Sequence, residues 1–287
     1  MVIDPHTHSS ISDGTDSIPE LISAAKAAGI DVLGLTDHDT MIGVEEAQEL
    51  GGLVGIEVLR GMELSAHIDV NGSEESVHLL AYGCVPDHDE LNTLLNTVCE
   101  ARRARVPRML ELLAQLGMPL ELSEVKAQSR MAAAPGRPHV ADAMVARGYV
   151  VNRDQAFEEF LYESGPAYVK RYSPTIFEAV DLVNKAHGVA VLAHPWGRGN
   201  REVTTAEVIA DLRTAHGLYG IEVDHVDHLD EERELLRHLA HDLGLVATGS
   251  SDYHGTGKTR NPLGVHRTTV NAYQAIRAEI KERGGQL

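Results

Sequence analysis

Cysteine is almost absent from this chain of 287 residues. Cys84 and Cys99 are the only two, and neither has the C-x-x-C spacing of a redox or metal motif. That excludes a disulfide framework and leaves both thiols as small buried hydrophobes. Positive charge is scarce as well: Lys and Arg total 25 against 43 Asp and Glu, a formal net charge of −18. A protein that coats nucleic acid would be basic, so that class is excluded. A small anionic substrate is not, because bound divalent cations reverse the sign of the local field. No apolar run reaches the roughly 20 residues of a membrane span, and no basic-then-apolar leader opens the chain. These absences predict a reduced, soluble, cytoplasmic protein with no membrane contact and no stable protein partner.

Histidine, by contrast, is abundant, with 16 residues, and its placement is informative. His6-Thr7-His8 closes the first apolar run. Side chains at i and i+2 of a strand share a face, so both imidazoles aim at one point, as metal ligands do. Asp13 follows in a Ser12-Asp13-Gly14 turn. His38 ends the run 32–36, next to Asp37, which could orient an imidazole or cap a helix. Asp39 and Thr40 are better placed to cap a helix starting near Ile42. Glu63 lies in Gly61-Met62-Glu63-Leu64, where a carboxylate is costly to bury unless paired or ligating; it is the best candidate to bridge two metals. His78 sits mid-strand in Val77-His78-Leu79. His194-Pro195 ends the most apolar run, and Asp252-Tyr253-His254 repeats the His-x-His geometry after another. Nine donors exceed the roughly four to six that one ion takes, and suit two or three divalent cations; mixed imidazole and carboxylate donors without thiolate fit Mn, Fe or Zn.

Strand-like runs at 32–36, 55–64, 77–82, 189–193, 220–223 and 245–248, with 264–270 as a candidate last strand, alternate with helical stretches. The first helix, 18–28, opens with Ser17 and Glu20 as a capping box and closes at Gly29. Alternation with apolar strands predicts a parallel sheet covered by helices. Donors spread from position 6 to 254 can meet only if the strand ends form a ring, so the α/β fold expected is a closed β/α barrel with its site at the strand ends. Residues 91–164 carry only helical patterning, with a break or kink expected near Pro107. They read as an inserted helical lobe over the barrel made by 1–90 and 165–287.

The ordered set His6-Thr7-His8, Ser12-Asp13-Gly14, Leu35-Thr36-Asp37-His38-Asp39, Gly61-Met62-Glu63, His78, Ala193-His194-Pro195 and Gly249-Ser250-Ser251-Asp252-Tyr253-His254 resembles the motifs of the PHP (polymerase and histidinol phosphatase) metal-dependent phosphoesterases. The resemblance implies a distorted seven-stranded β/α barrel with a trinuclear metal centre. It implies one metal on His6, His8, Glu63 and Asp252, a second on Glu63, His78 and His194, and a third on Asp13, His38 and His254. The segment Gly136-Arg137-Pro138-His139 resembles, more loosely, the subgroup that removes the 3′-phosphate of nucleoside 3′,5′-bisphosphates, some of whose members also trim short RNA from the 5′ end.

The expected reaction is phosphoester hydrolysis, with a metal-bridging hydroxide as nucleophile. A second phosphate on the substrate needs donors away from the metals: Arg137 and His139 first, then Lys170, Arg171, Arg198 and His228, each of which competes with an ordinary surface or capping role. Trp196 is a candidate to stack on a base or simply to pack its loop. The alternatives are a phosphatase for a small metabolite such as histidinol phosphate, an amidohydrolase, which usually carries fewer ligands, and a non-catalytic metal-binding interaction module.

Overall fold

A computed structural model describes residues 1–132, 134–163 and 165–287, the Arg198 side chain excepted. In chain order the elements are β1 (Ile3–Thr7), α1 (Ile18–Ala27), β2 (Val32–Leu35), α2 (Val44–Val54), β3 (Glu57–Val70), β4 (Ser73–Tyr82), α3 (Asp89–Gln115), α4 (Leu122–Gln128), α5 (Arg137–Ala146), α6 (Arg153–Ala156), α7 (Ile176–Lys185), β5 (Val189–Leu192), α8 (Ala206–Thr214), β6 (Gly220–Asp224), α9 (Asp230–Leu243), β7 (Val246–Gly249) and α10 (Val270–Arg283). The seven strands pair in sequence order. A bridge from Thr7 to Tyr253, beyond β7, brings the two edges of the sheet together into a nearly closed barrel.

The sheet is mixed, not parallel. β4 runs antiparallel to both β3 and β5. The cause is local: Asn71 and Gly72 both take positive φ, 54° and 85°, the backbone of a tight two-residue hairpin. β3 therefore runs on to Val70, and β4 starts at Ser73. The segment 264–270 is not a strand. It lies alongside β1, where the Thr268 amide donates to the Ile3 carbonyl at 3.0 Å, and then enters α10.

Two-residue alternation sorts the strands into an inner and an outer face. Ile3, Val32, Leu59, Leu80, Tyr82, Val189 and Val191 pack together inside the barrel, and α10 adds Tyr273, Ile276 and Ile280 to them. Leu79, Ala81, Ala190, Leu192, Ile221 and Val223 face outward against Val180 and Val183 of α7, Ile209 of α8 and Leu236 of α9. β1 and β2 approach so closely at Gly34 that a Cβ there would lie 1.9 Å from the Pro5 carbonyl oxygen.

α3 is one continuous helix of 27 residues that passes through Pro107. The expected break is missing because Pro107 is on the exposed side, where the carbonyl left without an amide partner can meet water. Its first turns pack Leu91 on the barrel. From Val106 onward it builds a separate apolar cluster with Val125 of α4, Val140 and Met144 of α5, and Leu161.

Candidate metal centre

The same alternation aims the site. In β3 the inward positions after Leu59 are Gly61 and Glu63; in β4, those beside Leu80 and Tyr82 include His78. Both side chains therefore project into the barrel. β1 would turn Pro5 and Thr7 inward if it simply continued from Ile3, but its pairing with β2 is irregular between Asp4 and Thr7. Past that irregularity His6 and His8 face the interior. At the other strand ends the backbone itself turns: His194 and Asp252 have φ of 26° and 53°, a left-handed conformation that costs a non-glycine residue and clusters at functional sites.

All nine anticipated donors meet. Glu63 is at the centre, 1% exposed. Its Oε1 lies 2.7 Å from His78 Nδ1 and 3.0 Å from His194 Nε2. Its Oε2 lies 3.1 Å from His8 Nε2, 3.2 Å from His38 Nδ1 and 3.4 Å from His6 Nε2. Asp252 Oδ1 is 3.4 Å from His6 Nε2 and 3.3 Å from His8 Nε2. Asp13 reaches His254 Nε2 at 3.3 Å and His38 Nε2 at 3.6 Å. Donor atoms gather within 4.8 Å of one another in overlapping sets: His6, His8, Glu63 and Asp252; His8, Asp13, His38 and His254; His38, Glu63 and His78.

The charge pattern of this cluster calls for cations. Burial works against the Glu63 carboxylate, yet His78, His38 and His6 hold it well below the usual carboxylate range. Asp13 is depressed in the same way by His38 and His254, and Asp252 by Lys258, His254 and His6. Burial pushes His38 far down and His254 down to about 4, so both are neutral. Burial opposes charge on His8 and His6 too, but Asp252 and Glu63 raise His8 to about 9, and Glu222, Glu63 and Asp252 raise His6 well above its ordinary value. Two buried atoms, His38 Nδ1 and Asp252 Oδ1, make no hydrogen bond at all. An imidazole nitrogen and a carboxylate oxygen left in this way are what a shared divalent cation would satisfy, so the residues fit a multi-metal centre.

Around the donors lies a layer that sequence reasoning missed. Glu222 of β6 is fully buried. It sits 3.1 Å from His6 Nδ1 and accepts from the His194 amide at 2.9 Å and from the Ser250 hydroxyl. A carboxylate in Gly220-Ile221-Glu222-Val223, within an apolar strand, was the readable sign. Lys258 Nζ donates to Asp252 Oδ2 at 2.5 Å, and His225 Nε2 lies 3.4 Å from the same oxygen. Asp37 neither orients an imidazole nor caps a helix; it accepts from the Ser9 amide and the Ser9 and Ser12 hydroxyls, fixing the loop after β1. Asp39 does not cap α2, whose N-cap is Gly43. It accepts from the Ser65 amide at 2.7 Å and from Arg102.

The anticipated phosphate donors divide. Arg137, Lys170 and Arg171 meet around one small hollow beside Ala66 and Ser76 on the β3–β4 hairpin, together with Arg105. Arg105 is 7% exposed and its Nε has no partner among the described residues. Burial, with Arg137, Arg171 and Arg102 nearby, drives its guanidinium well below its ordinary value, and burial beside Arg102 brings Arg171 to about 10. Arg137 stacks over Phe157 and Tyr168, and Lys170 pairs with Glu74 at 3.0 Å. His139 is turned back on its own helix, its Nδ1 accepting from the Gly136 amide. His228 is buried, with Nδ1 donating to the Val223 carbonyl and Nε2 accepting from the Trp196 amide, which leaves neither nitrogen to donate to a phosphate. Trp196 packs its loop, donating Nε1 to the Thr204 carbonyl beneath Arg201. The Arg198 side chain lies outside the described residues.

Comparison with known proteins agrees with this geometry. Residues 4–128 match the PHP domain profile. A 5′-3′ exoribonuclease of Haemophilus influenzae is 31% identical over 88% of this chain and 89% of its own. A 3′,5′-nucleoside bisphosphate phosphatase of Chromobacterium violaceum is 33% identical over 91% and 90%, and a phosphoribosyl 1,2-cyclic phosphate 1,2-diphosphodiesterase of Eggerthella lenta 30% over 89% and 95%. The chain belongs to the PHP family. It is a divalent-metal-dependent phosphoesterase on a seven-stranded, nearly closed α/β barrel. Among the described residues no helix is long and apolar enough to cross a membrane.

Proposed function

We propose that this PHP enzyme hydrolyses the 3′-phosphate of nucleoside 3′,5′-bisphosphates, and that it trims short RNA from the 5′ end by breaking the same bond. The observation that carries this reading is the arginine hollow. Ala66 and Ser76, which line it, are three and two residues from Glu63 and His78, and a strand rises about 3.3 Å per residue. A buried guanidinium whose Nε has no partner among the described residues is costly and matches a phosphate bidentately. The distance suits a substrate with one phosphate at the donor cluster and another held by Arg105, Arg137 and Arg171.

In this reading His6, His8, Glu63 and Asp252 would hold one cation, Glu63, His78 and His194 a second, and Asp13, His38 and His254 a third, with Mn, Fe or Zn as the candidates. Bound there, the cations would supply Lewis-acid polarisation of the phosphoryl group and a water of lowered pKa. Glu222 fixes the ring of His6 and the backbone of His194. Lys258, bonded to Asp252 Oδ2 at 2.5 Å, places an ammonium at the edge of the cluster, where it would meet a phosphoryl oxygen. The segment 91–164 acts as a lobe that excludes water from the mouth, with Arg153 and Arg130 donating to the Asp13 and Thr15 carbonyls at 3.1 and 2.7 Å.

The test is phosphate release from 3′-phosphoadenosine 5′-phosphate by the Mn-loaded enzyme. Stoichiometric phosphate and nucleoside 5′-monophosphate are expected. Turnover of histidinol phosphate in their place would overturn the nucleotide reading in favour of a small-metabolite phosphatase. A metal-loaded protein inert to every phosphoester would be an interaction module.

A further inference from the structure

Beside His38 and Ser12 opens a second, larger cavity of about 550 Å³. Asp39 and Arg102 line it and bond to each other, and Arg102 also donates to Ser65 at 3.0 Å, the neighbour in β3 of Ala66, which lines the arginine hollow. The two spaces differ in kind. The hollow has room for little more than one phosphate, about 30 Å³, whereas the cavity falls within the roughly 300–1,000 Å³ of small-ligand sites. Met41 and Leu95 give it apolar walls, and Asn96 lies on the α3 side. Arg60 and Arg102 are 5% and 9% exposed, and each keeps a buried Nε with no partner. Arg60 pairs with Glu45 at 2.8 Å and Arg102 with Asp39, and the lining mixes these charges with apolar walls. In a chain of net charge −18, the donors that remain idle on both guanidiniums suit a ligand with a flat apolar part and a negative charge.

A monoester needs no such space. In a 3′,5′-bisphosphate the scissile phosphorus carries nothing beyond its own oxygens. In RNA it also carries the 5′-oxygen of the next nucleotide. Water adds to that phosphorus, the P–O3′ bond breaks, and the proton ends on O3′. The products are a nucleoside 5′-monophosphate and a shortened strand that keeps its 5′-phosphate. We propose that the cavity beside His38 is the subsite for this downstream nucleotide, with its base between Met41 and Leu95 and its 3′-side phosphate toward Arg60 and Arg102. The inference rests on the phosphoesterase reading above and gives its RNA substrate one defined nucleotide beyond the cut.

Binding is measured on the metal-free protein, so that it does not depend on turnover, with a nucleoside 5′-monophosphate, a 5′-phosphorylated dinucleotide, a trinucleotide and a tetranucleotide. The dinucleotide should bind at least tenfold tighter than the mononucleotide, the trinucleotide tighter again because it adds the phosphate on the 3′ side of the second nucleotide, and a tetranucleotide should gain nothing more. Asn96→Trp, at an exposed helix position that lines the cavity, should erase most of the dinucleotide's advantage. With Mn bound, kcat/KM for the dinucleotide should exceed that for the 3′,5′-bisphosphate at least tenfold. Equal affinity for mono- and dinucleotide, or an advantage untouched by Asn96→Trp, would overturn the subsite. Failure of bisphosphate hydrolysis alone would instead remove the reading of the preceding subsection.

Discussion

Loading metal into the metal-free protein should expel about one proton near neutral pH. A metal ligand must be a neutral imidazole, and the donors begin from different charge states. His38 and His254 are pushed down by burial, His254 to about 4, so they have no proton to give. His6 and His8 are held up by the carboxylates around them, His8 at about 9, and their Nε2 atoms lie 3.1 Å apart, a contact in which one nitrogen donates and the other accepts, so at neutral pH the pair carries about one extra proton that a cation must displace. The affinity should therefore rise with pH by about tenfold per unit, equivalent to about 1.4 kcal/mol, and flatten as pH passes about 9. The sign for the metal-free fold is the reverse. A raised imidazole contributes stability that is fully present below its unfolded value of 6.5 and lost as pH rises through about 9.

The assay is calorimetric titration of Mn²⁺ into chelator-treated protein in two buffers of different ionisation enthalpy, which counts the protons released. His8→Gln should leave the count near one, because Glu222, Glu63 and Asp252 still hold a proton on His6, while the remaining donors still bind metal. Release of no protons at full occupancy would refute the charge pattern from which the centre is built. An affinity independent of pH across the neutral range would do the same.

Three further outcomes are expected. Glu222→Gln removes the anion that orients His6, and should cost about 10–100-fold in metal affinity, read by competition with a chromogenic chelator; unchanged affinity would show that the carboxylate only fills space. Arg105→Met should raise KM for the 3′,5′-bisphosphate by about 10–100-fold, the value of a charge-assisted hydrogen bond, and spare a nucleoside 3′-monophosphate; equal losses on both substrates would make Arg105 a structural residue. Met109→Ala, in the apolar cluster of the lobe, should lower unfolding free energy by about 2–5 kcal/mol in denaturant titration, and a shift below ~1 kcal/mol would mean that the lobe core relaxes around the gap.

The donors were legible because each is anomalous in its own neighbourhood. His6 and His8 have the strand spacing that points two rings one way, and Glu63 is an acid between Met62 and Leu64. The reversed strand was written just as plainly. Asn71-Gly72 is a strong short hairpin signal, but strand–helix alternation elsewhere overrode it, and a parallel sheet was expected where the chain folds back. That error left His78 usable, because an inward position stays inward whichever way its strand runs. Arg102 and Arg105 were hidden for a different reason. They fall on the same face of α3 as Val98 and Met109, and the stripe alone read as helix packing. A guanidinium on an apolar stripe is a contradiction in the pattern, as Glu222 is in β6. Both were passed over because hydrophobic periodicity records which positions are buried and is silent on what a buried charge was placed there to meet. In this chain the charges that break the pattern surround the donor cluster on two sides. A purely structural core would have no use for them, whereas Glu222 holds His6 for a cation and the guanidiniums of Arg102 and Arg105 would face the negative charge of a substrate.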